Sequence, residues 1–182
     1  MEEFFDVLNS QGEFTGEVAS RKECHEKGLW HRAVYAFIFD KEGHVLLQKR
    51  SKQKKMWPGL WDVPTGGHVL TGEFGIDALI RETKEELGID VKKSEIEYIV
   101  GSTSDQVVNG FTNRHFNECY IITKDIDISK IQLQEDEVED IRWFDYEDVV
   151  KMIDAGFDGI TNKTGPWNFL KIYCQRKFNK NK

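Results

Sequence analysis

Residues 66–89 read GGHVLTGEFGIDALIRETKEELGI, and this stretch decides the fold. The pair Gly66-Gly67 opens it and Gly88-Ile89 closes it. Between them Ile76, Leu79, Ile80, Thr83 and Leu87 recur at helical spacing and form a stripe that can face a core. At about 100° per residue, Glu82, Glu85 and Glu86 fall within a sector of roughly 100° beside that stripe. Ala78, one turn before Glu82, leaves room on the carboxylate side. Carboxylates at i, i+3 and i+4 repel one another by roughly 0.2–0.5 kcal/mol per pair. Arg81 and Lys84 cannot cancel all of it, so the cluster suits a divalent cation with oxygen ligands. The plain alternative is a solvated glutamate-rich face, and the spacing decides between the two.

Gly67, then Glu73, then Arg81-Glu82-x-x-Glu85-Glu86-x-Gly88-Ile89 resembles the Nudix box over its whole length. Seven identities, each with a chance of roughly one in fifteen, would coincide on the order of once in 10⁸ trials. Thr83 departs from the pattern, because the family prefers a larger apolar residue there. The resemblance implies a Nudix fold and a hydrolase that cleaves a diphosphate bond, in a nucleoside diphosphate derivative or a related substrate. It implies Mg²⁺ or Mn²⁺ as cofactor, with Glu82, Glu85 and Glu86 as ligands and the Gly67 carbonyl beside them. One of these glutamates, or a carboxylate from elsewhere, would serve as general base toward water. Arg81 would orient the glutamates, and Glu73 would pin the loop to the helix start, where negative charge suits the helix dipole.

The stretch LLQKRSKQKKMWPGLWDVPTGGHV is similar to the matching region of type I isopentenyl-diphosphate isomerases, which share the Nudix fold. That likeness puts Arg50 and Lys54 where those enzymes hold diphosphate. It aligns His31 and His68 with metal-binding histidines, and Glu118 with a catalytic glutamate. The spacing from His25 to His31 is one residue short of the isomerase pattern, so His25 carries no weight here. Gly66 stands where the isomerases carry their catalytic cysteine. A glycine has no proton to exchange with carbon, so isomerisation loses one of its two acid–base groups. The chain therefore resembles the isomerase-like branch of the Nudix hydrolases rather than an isomerase. A non-catalytic nucleotide-binding module is the remaining alternative, and the intact glutamate set argues against it.

The rest of the chain is consistent with that expectation. Its 182 residues fit one domain with an extension: residues 1–28 as an N-terminal hairpin and 29–182 as the main domain ending in a helix. A net charge of −7 speaks against nucleic acid or a membrane surface as partner. The resemblance implies a small diphosphate molecule as partner, with a homodimer left open. Cys24, Cys119 and Cys174 are odd in number, far apart and without a CxxC pair, as in a cytoplasmic protein. An acidic start and the lack of a long apolar run predict neither a secretory signal nor a membrane span.

Strand–turn–strand patterning covers 4–8 and 14–18, and Ser20 caps a helix from Arg21 to about Glu26 that stops at Gly28. Strands are expected at 30–39, 44–50, 62–64, 96–103, 116–123 and 138–144, and helices at 146–154 and 167–177. Asp105 to Arg114 is polar and reads as a loop beside the site, and Ile131 to Gln134 as the start of a short strand. The order of elements predicts an α/β class, with a mixed β-sheet in an α/β/α sandwich. Lys49, Arg50, Lys52, Lys54 and Lys55 form either a solubilising loop or a phosphate-binding rim. Trp57 and Trp61 are expected to pack under that loop. Glu118, Glu135 and Glu137 are further candidates for a second metal ligand or a base.

Overall fold

The computed structural model describes residues 2–108, 110–131, 133–134 and 136–178. Glu135, Lys180 and Lys182 lie outside the described residues. A two-stranded hairpin, β1 (Phe4–Leu8) and β2 (Phe14–Ser20), comes first and leads into α1 (Arg21–Lys27). Ser20 and Glu23 form a reciprocal capping box, and Gly28 ends the helix at a φ of 66°, which only glycine adopts cheaply.

The main sheet contains β3 (His31–Phe39), β4 (His44–Arg50), β5 (Trp61–Asp62), β6 (Thr65–His68), β7 (Ile96–Val108), β8 (Phe111–Thr123) and β9 (Val138–Asp145). Its path runs β5-β4-β3-β8-β7, with β6 paired to β3 and β9 to β4. Only β3 and β8 run parallel; the other pairs are antiparallel, so the sheet is mixed as expected. β6 takes up the N-terminal half of β3, from Ala33 to Ala36, while β4 pairs beyond it at Ile38 and Phe39.

Alternation along β3 sorts the core into two layers. Tyr35, Phe37 and Phe39 point to one side, where α3 (Tyr146–Asp154) and α4 (Thr164–Phe178) supply Val149, Ile153, Trp167, Leu170 and Cys174. Val34, Ala36 and Ile38 point to the other, against Ala78, Leu79 and Leu87 of α2 (Gly75–Leu87). The α/β/α sandwich is therefore in place. The hairpin docks on its end through Leu8 N–H to Trp30 O at 2.8 Å and Thr71 N–H to Phe4 O at 2.9 Å.

The structure corrects three expectations. The strand expected at 62–64 is Trp61–Asp62, and Thr65–His68 form a separate strand. Residues 105–108 and 111–114 are strand and not loop: β7 and β8 continue as an antiparallel ribbon past Asp105↔Arg114, where Arg114 Nε donates to Asp105 at 3.0 Å. Its β7 side is exposed at Asp105, Gln106 and Val107, while its β8 side meets α1 through polar contacts at Thr112 and Arg114, so the alternation that signals a strand is absent. Ile131, Leu133 and Gln134 form no strand.

Candidate active site

Helix α2 carries the glutamates, and what holds them is a strand with no side chain to spare. At Gly67, in β6, an added Cβ would fall 2.1 Å from the Glu82 carboxyl carbon and 2.2 and 2.5 Å from its oxygens. Glycine is thus the residue that lets the Glu82 carboxylate lie against the β6 backbone. Glu86 Oε2 accepts from the Gly66 N–H at 3.2 Å, one residue along the same strand. Glu85, a turn above Glu82, is exposed. All three acids therefore project from one side of α2 toward or past β6, as the spacing requires.

Arg81 braces the group. Its Nε and Nη2 donate to both oxygens of Glu73, at 3.1 and 3.0 Å, and Nη2 also donates to His68 O at 3.0 Å. Its Nη1 reaches Glu82 at 2.7 Å and Glu85 at 3.4 Å. Glu73 in turn accepts from the Leu70 N–H at 3.1 Å, which fixes the loop before the helix. Thr83 fits its buried place by donating its hydroxyl to Leu79 O at 2.7 Å, with Thr65 Oγ1 3.3 Å away. The departure from the box pattern is thus satisfied by hydrogen bonds where a larger side chain would fill space.

Electrostatically the site is frustrated. Burial raises the Glu82 carboxyl, against the pull of Arg81. Burial, then the neighbouring Glu82 charge, pushes Glu86 up to about 8, and the Gly66 N–H offsets only part of this. Two acids facing each other with so little compensation fit a divalent cation with oxygen ligands, which would restore both to their ionised form. An alanine at position 67 is expected to displace the Glu82 carboxylate and lower turnover by about 10²-fold. The β6 backbone there has no positive φ, so thermal unfolding should move by no more than about 1 kcal/mol. Wild-type turnover in Gly67→Ala would refute this account of the cradle.

The other candidates are dispersed. Glu118 sits at the opposite end of α2: its carboxylate lies where a Cβ on Gly75 would go. It accepts from the Tyr120 hydroxyl at 2.5 Å and stands 3.6 Å from Arg32. Along the helix axis that is roughly 10 Å from the level of Glu82. His31, fully buried, and His68 lie on the other face of the sheet from Glu118, because β3 and β8 pair residue for residue and side chains alternate. Arg50 spends its guanidinium on Asp62 at 3.0 Å and on Met56 O at 3.0 Å. Lys54 is ion-paired with Glu137. Trp61 packs edge-on against Phe144 at 4.9 Å, and Trp57 lies beneath the ammonium of Lys163.

Sequence reasoning missed Lys163. Its ammonium donates to Asp62 at 2.6 Å and lies near enough to Glu86 to favour that residue's charge. Nothing in its surroundings, Asn162-Lys163-Thr164, signals that position. Gly66 has a second reason to be glycine beyond the missing thiol. A Cβ there would meet Val34 O at 2.8 Å and Tyr35 Cβ at 3.0 Å, so the neighbouring strand closes the space a side chain would need.

Comparison with known proteins gives the family. The NUDIX domain family matches residues 29–162. Nudix hydrolase 3 of Arabidopsis thaliana is 38% identical over 152 residues, 81% of this chain; the chain spans only 20% of that protein's length. An uncharacterised Nudix hydrolase of Clostridium acetobutylicum is 33% identical over 87% of this chain and 78% of its own. An isopentenyl-diphosphate Delta-isomerase of Escherichia coli is 33% identical over 82% of this chain and 80% of its own. Among solved structures, DR0079 of Deinococcus radiodurans superposes with a TM-score of 0.69 at 20% identity, covering 93% of this chain and 98% of that one, which speaks to the fold. The chain belongs to the Nudix family, as a pyrophosphohydrolase by class on the branch that also holds the isopentenyl-diphosphate isomerases.

Proposed function

We propose that this chain is a Mg²⁺-dependent hydrolase that cleaves the diphosphate bond of a nucleoside diphosphate derivative. The observation that carries the reading is the Gly67–Glu82–Glu86 cradle, in which two acids meet over a backbone stripped of side chains. Glu82, Glu85 and Glu86, with the Gly67 carbonyl, would hold the cation; when bound, it neutralises charge on the diphosphate and makes water a better nucleophile. The protein's own share is positioning. Arg81 keeps Glu82 and Glu85 aimed while Glu73 and the His68 carbonyl keep Arg81 in place. One of these glutamates, or a carboxylate from elsewhere, would serve as general base toward the attacking water. Lys163 adds positive charge beside Glu86, where a phosphate oxygen would be met. A recess of about 400 Å³ lined by Arg32, Ser102, Phe116, Asn117 and Glu118 offers room for the organic part of the substrate. It connects to the glutamates through Arg32, which donates to Glu73 O at 2.6 Å.

The test is a panel of nucleoside diphosphates, nucleotide sugars, dinucleotides and prenyl diphosphates, assayed with Mg²⁺, with Mn²⁺ and with EDTA. Phosphate-containing products should form only with the cation, and best from a nucleoside derivative. Failure with every compound would overturn the reading in favour of a binding module. Proton exchange at carbon of a prenyl diphosphate, without hydrolysis, would favour the isomerase; the closed space at Gly66 argues against that outcome.

A further inference from the structure

Strand pairing gathers a second set of side chains near the N-terminal end of α2. Arg32 of β3 lies opposite Phe116 of β8, and Phe116 lies opposite Thr103 of β7. Two residues along β8, Glu118 lies between Val34 and Gly101. Side chains at alternate positions share a face, so Arg32, Phe116 and Glu118 project on the α2 side of the sheet with Val34. Gly101 contributes only space there: a Cβ would meet the Tyr98 hydroxyl at 3.3 Å and the Asn117 carbonyl at 3.7 Å. These residues line the recess of about 400 Å³.

Its polar groups stand in a fixed order. The Tyr120 hydroxyl donates to Glu118 Oε2 at 2.5 Å, which commits that oxygen and leaves Oε1 to accept from a ligand. Arg32 Nη2 donates to Glu73 O at 2.6 Å, while Nη1 stands 3.6 Å from Glu118 Oε1, beyond hydrogen-bond length. One donor and one acceptor therefore stand side by side, and a ligand can bridge them. Phe14, from the N-terminal hairpin, lies over the Arg32 guanidinium at 5.4 Å and steadies its plane. Phe116 supplies an aromatic wall. Its ring is backed by Trp30 at 5.0 Å and by Gly12, where a Cβ would fall 3.1 Å from it. A flat ring with a donor beside an acceptor on one edge meets all of these groups at once.

We propose that this recess reads the nucleobase of the substrate, an inference that rests on the hydrolase reading above, and that it selects a base with an exocyclic amine beside a ring acceptor, as in cytosine and adenine. The amine donates to Glu118 Oε1, and the neighbouring ring nitrogen accepts from Arg32 Nη1. Uracil and hypoxanthine carry a carbonyl in place of that amine and turn an acceptor toward the carboxylate. Their ring N–H lies one atom further in, so pairing it with Glu118 shifts the ring out of register with Arg32. Guanine presents two donors to a carboxylate with one oxygen already committed. A prenyl chain presents neither donor nor acceptor. The level of Gly75, where Glu118 sits, is roughly 10 Å along α2 from Glu82, the reach from a base to the diphosphate of a nucleotide. Glu118 thus sets specificity and touches no reacting atom. The N-terminal hairpin takes part through Gly12 and Phe14, which hold Phe116 and Arg32 in place.

Calorimetric binding of CMP, UMP, AMP and IMP to the full chain, with Mg²⁺ present, reads the recess without turnover. CMP should bind about tenfold more tightly than UMP, and AMP about tenfold more tightly than IMP. Glu118→Gln loses the charge-assisted acceptor and should reduce both preferences to about twofold or less. Gly101→Val, on the edge strand β7, fills the recess and should weaken all four nucleotides alike by at least about tenfold, which decides the matter if Glu118→Gln fails to fold. The same two preferences should appear in kcat/KM for the corresponding nucleoside diphosphates. Hydrolysis at equal kcat/KM for all four bases would overturn the proposal and leave the hydrolase reading standing. Binding with these preferences but no hydrolysis of any compound would do the reverse. Equal or absent binding of the four nucleotides by the wild type, or preferences unchanged in Glu118→Gln, would overturn the proposal outright.

Discussion

Glu86→Gln is expected to lower cation-dependent turnover by about 10³-fold, some 4 kcal/mol of transition-state stabilisation, while leaving the metal-free protein at least as stable as the wild type. The two halves of this result have one cause. In the metal-free fold, burial and the Glu82 charge hold Glu86 at about 8, well above an ordinary glutamate. A carboxyl whose folded pKa is raised contributes stability that is present below about 4.5 and is lost as pH rises through about 8. At pH 8.5, then, Glu86 works against the fold, and the neutral amide removes that term. Adding Mg²⁺ should remove it too in the wild type, so the melting temperature should rise with the cation there and stay flat in Glu86→Gln. The amide keeps the size of the side chain but loses a ligand oxygen and the capacity to accept a proton. A variant that melts lower without cation, or that turns over at the wild-type rate, would show that the acid is structural. Glu85, exposed and held by Arg81, should show the rate loss as well when changed to glutamine.

What could be read from the sequence follows from range. The glutamate helix was legible because its chemistry is written within one element: spacings of three and four residues put the acids on one face, and the glycines beside them mark a backbone that approaches closely. The layers of the sandwich were legible because β3 is apolar at every position from Ala33 to Phe39, as a strand covered on both faces must be. The β7–β8 ribbon was not, since residues 105–107 are exposed and residues 112–114 meet α1 through polar contacts, which leaves no alternation to read. The charged segment at 49–55 shows the same limit. Its cations are plain in the sequence, but their partners are not: Lys54 meets Glu137, Lys49 meets Glu139 and Arg50 meets Asp62. Four histidines come from elements scattered over 90 residues of chain, from His25 to His115: strand pairing brings His31, His68 and His115 to one face, and α1 adds His25.

Asp62 is where such distant pairing should matter most to stability. Its side chain is 1% exposed and is met by Arg50 at 3.0 Å, Lys163 at 2.6 Å, the Thr161 hydroxyl at 3.0 Å and the Val63 N–H at 2.9 Å. Burial alone would raise this carboxyl, but Lys163 and Arg50 together hold it below its ordinary value. A group with a lowered folded pKa contributes stability above its unfolded value and loses it as pH falls through the folded one, so this contribution should fade on acidification. Asp62→Asn keeps the shape and two of the hydrogen bonds but leaves the half-buried Arg50 and Lys163 facing each other without an anion. The expected cost is about 3–5 kcal/mol, or a fall of roughly 8–15 °C in melting temperature. The damage should be local before it is global. Thr161 also accepts from Trp167 Nε1 at 2.6 Å through its carbonyl, and its N–H donates to Trp61 O at 2.9 Å, so the segment leading into α4 is fixed by the same knot. Turnover should therefore fall as well, because Lys163 would no longer be held beside Glu86. Replacing both Asp62 and Arg50, as Asp62→Asn/Arg50→Met, removes one of the stranded charges and should recover part of the stability but not the turnover. A single variant that costs less than about 1 kcal/mol would mean that water solvates this cluster in spite of its burial, and that the two cations do not depend on Asp62.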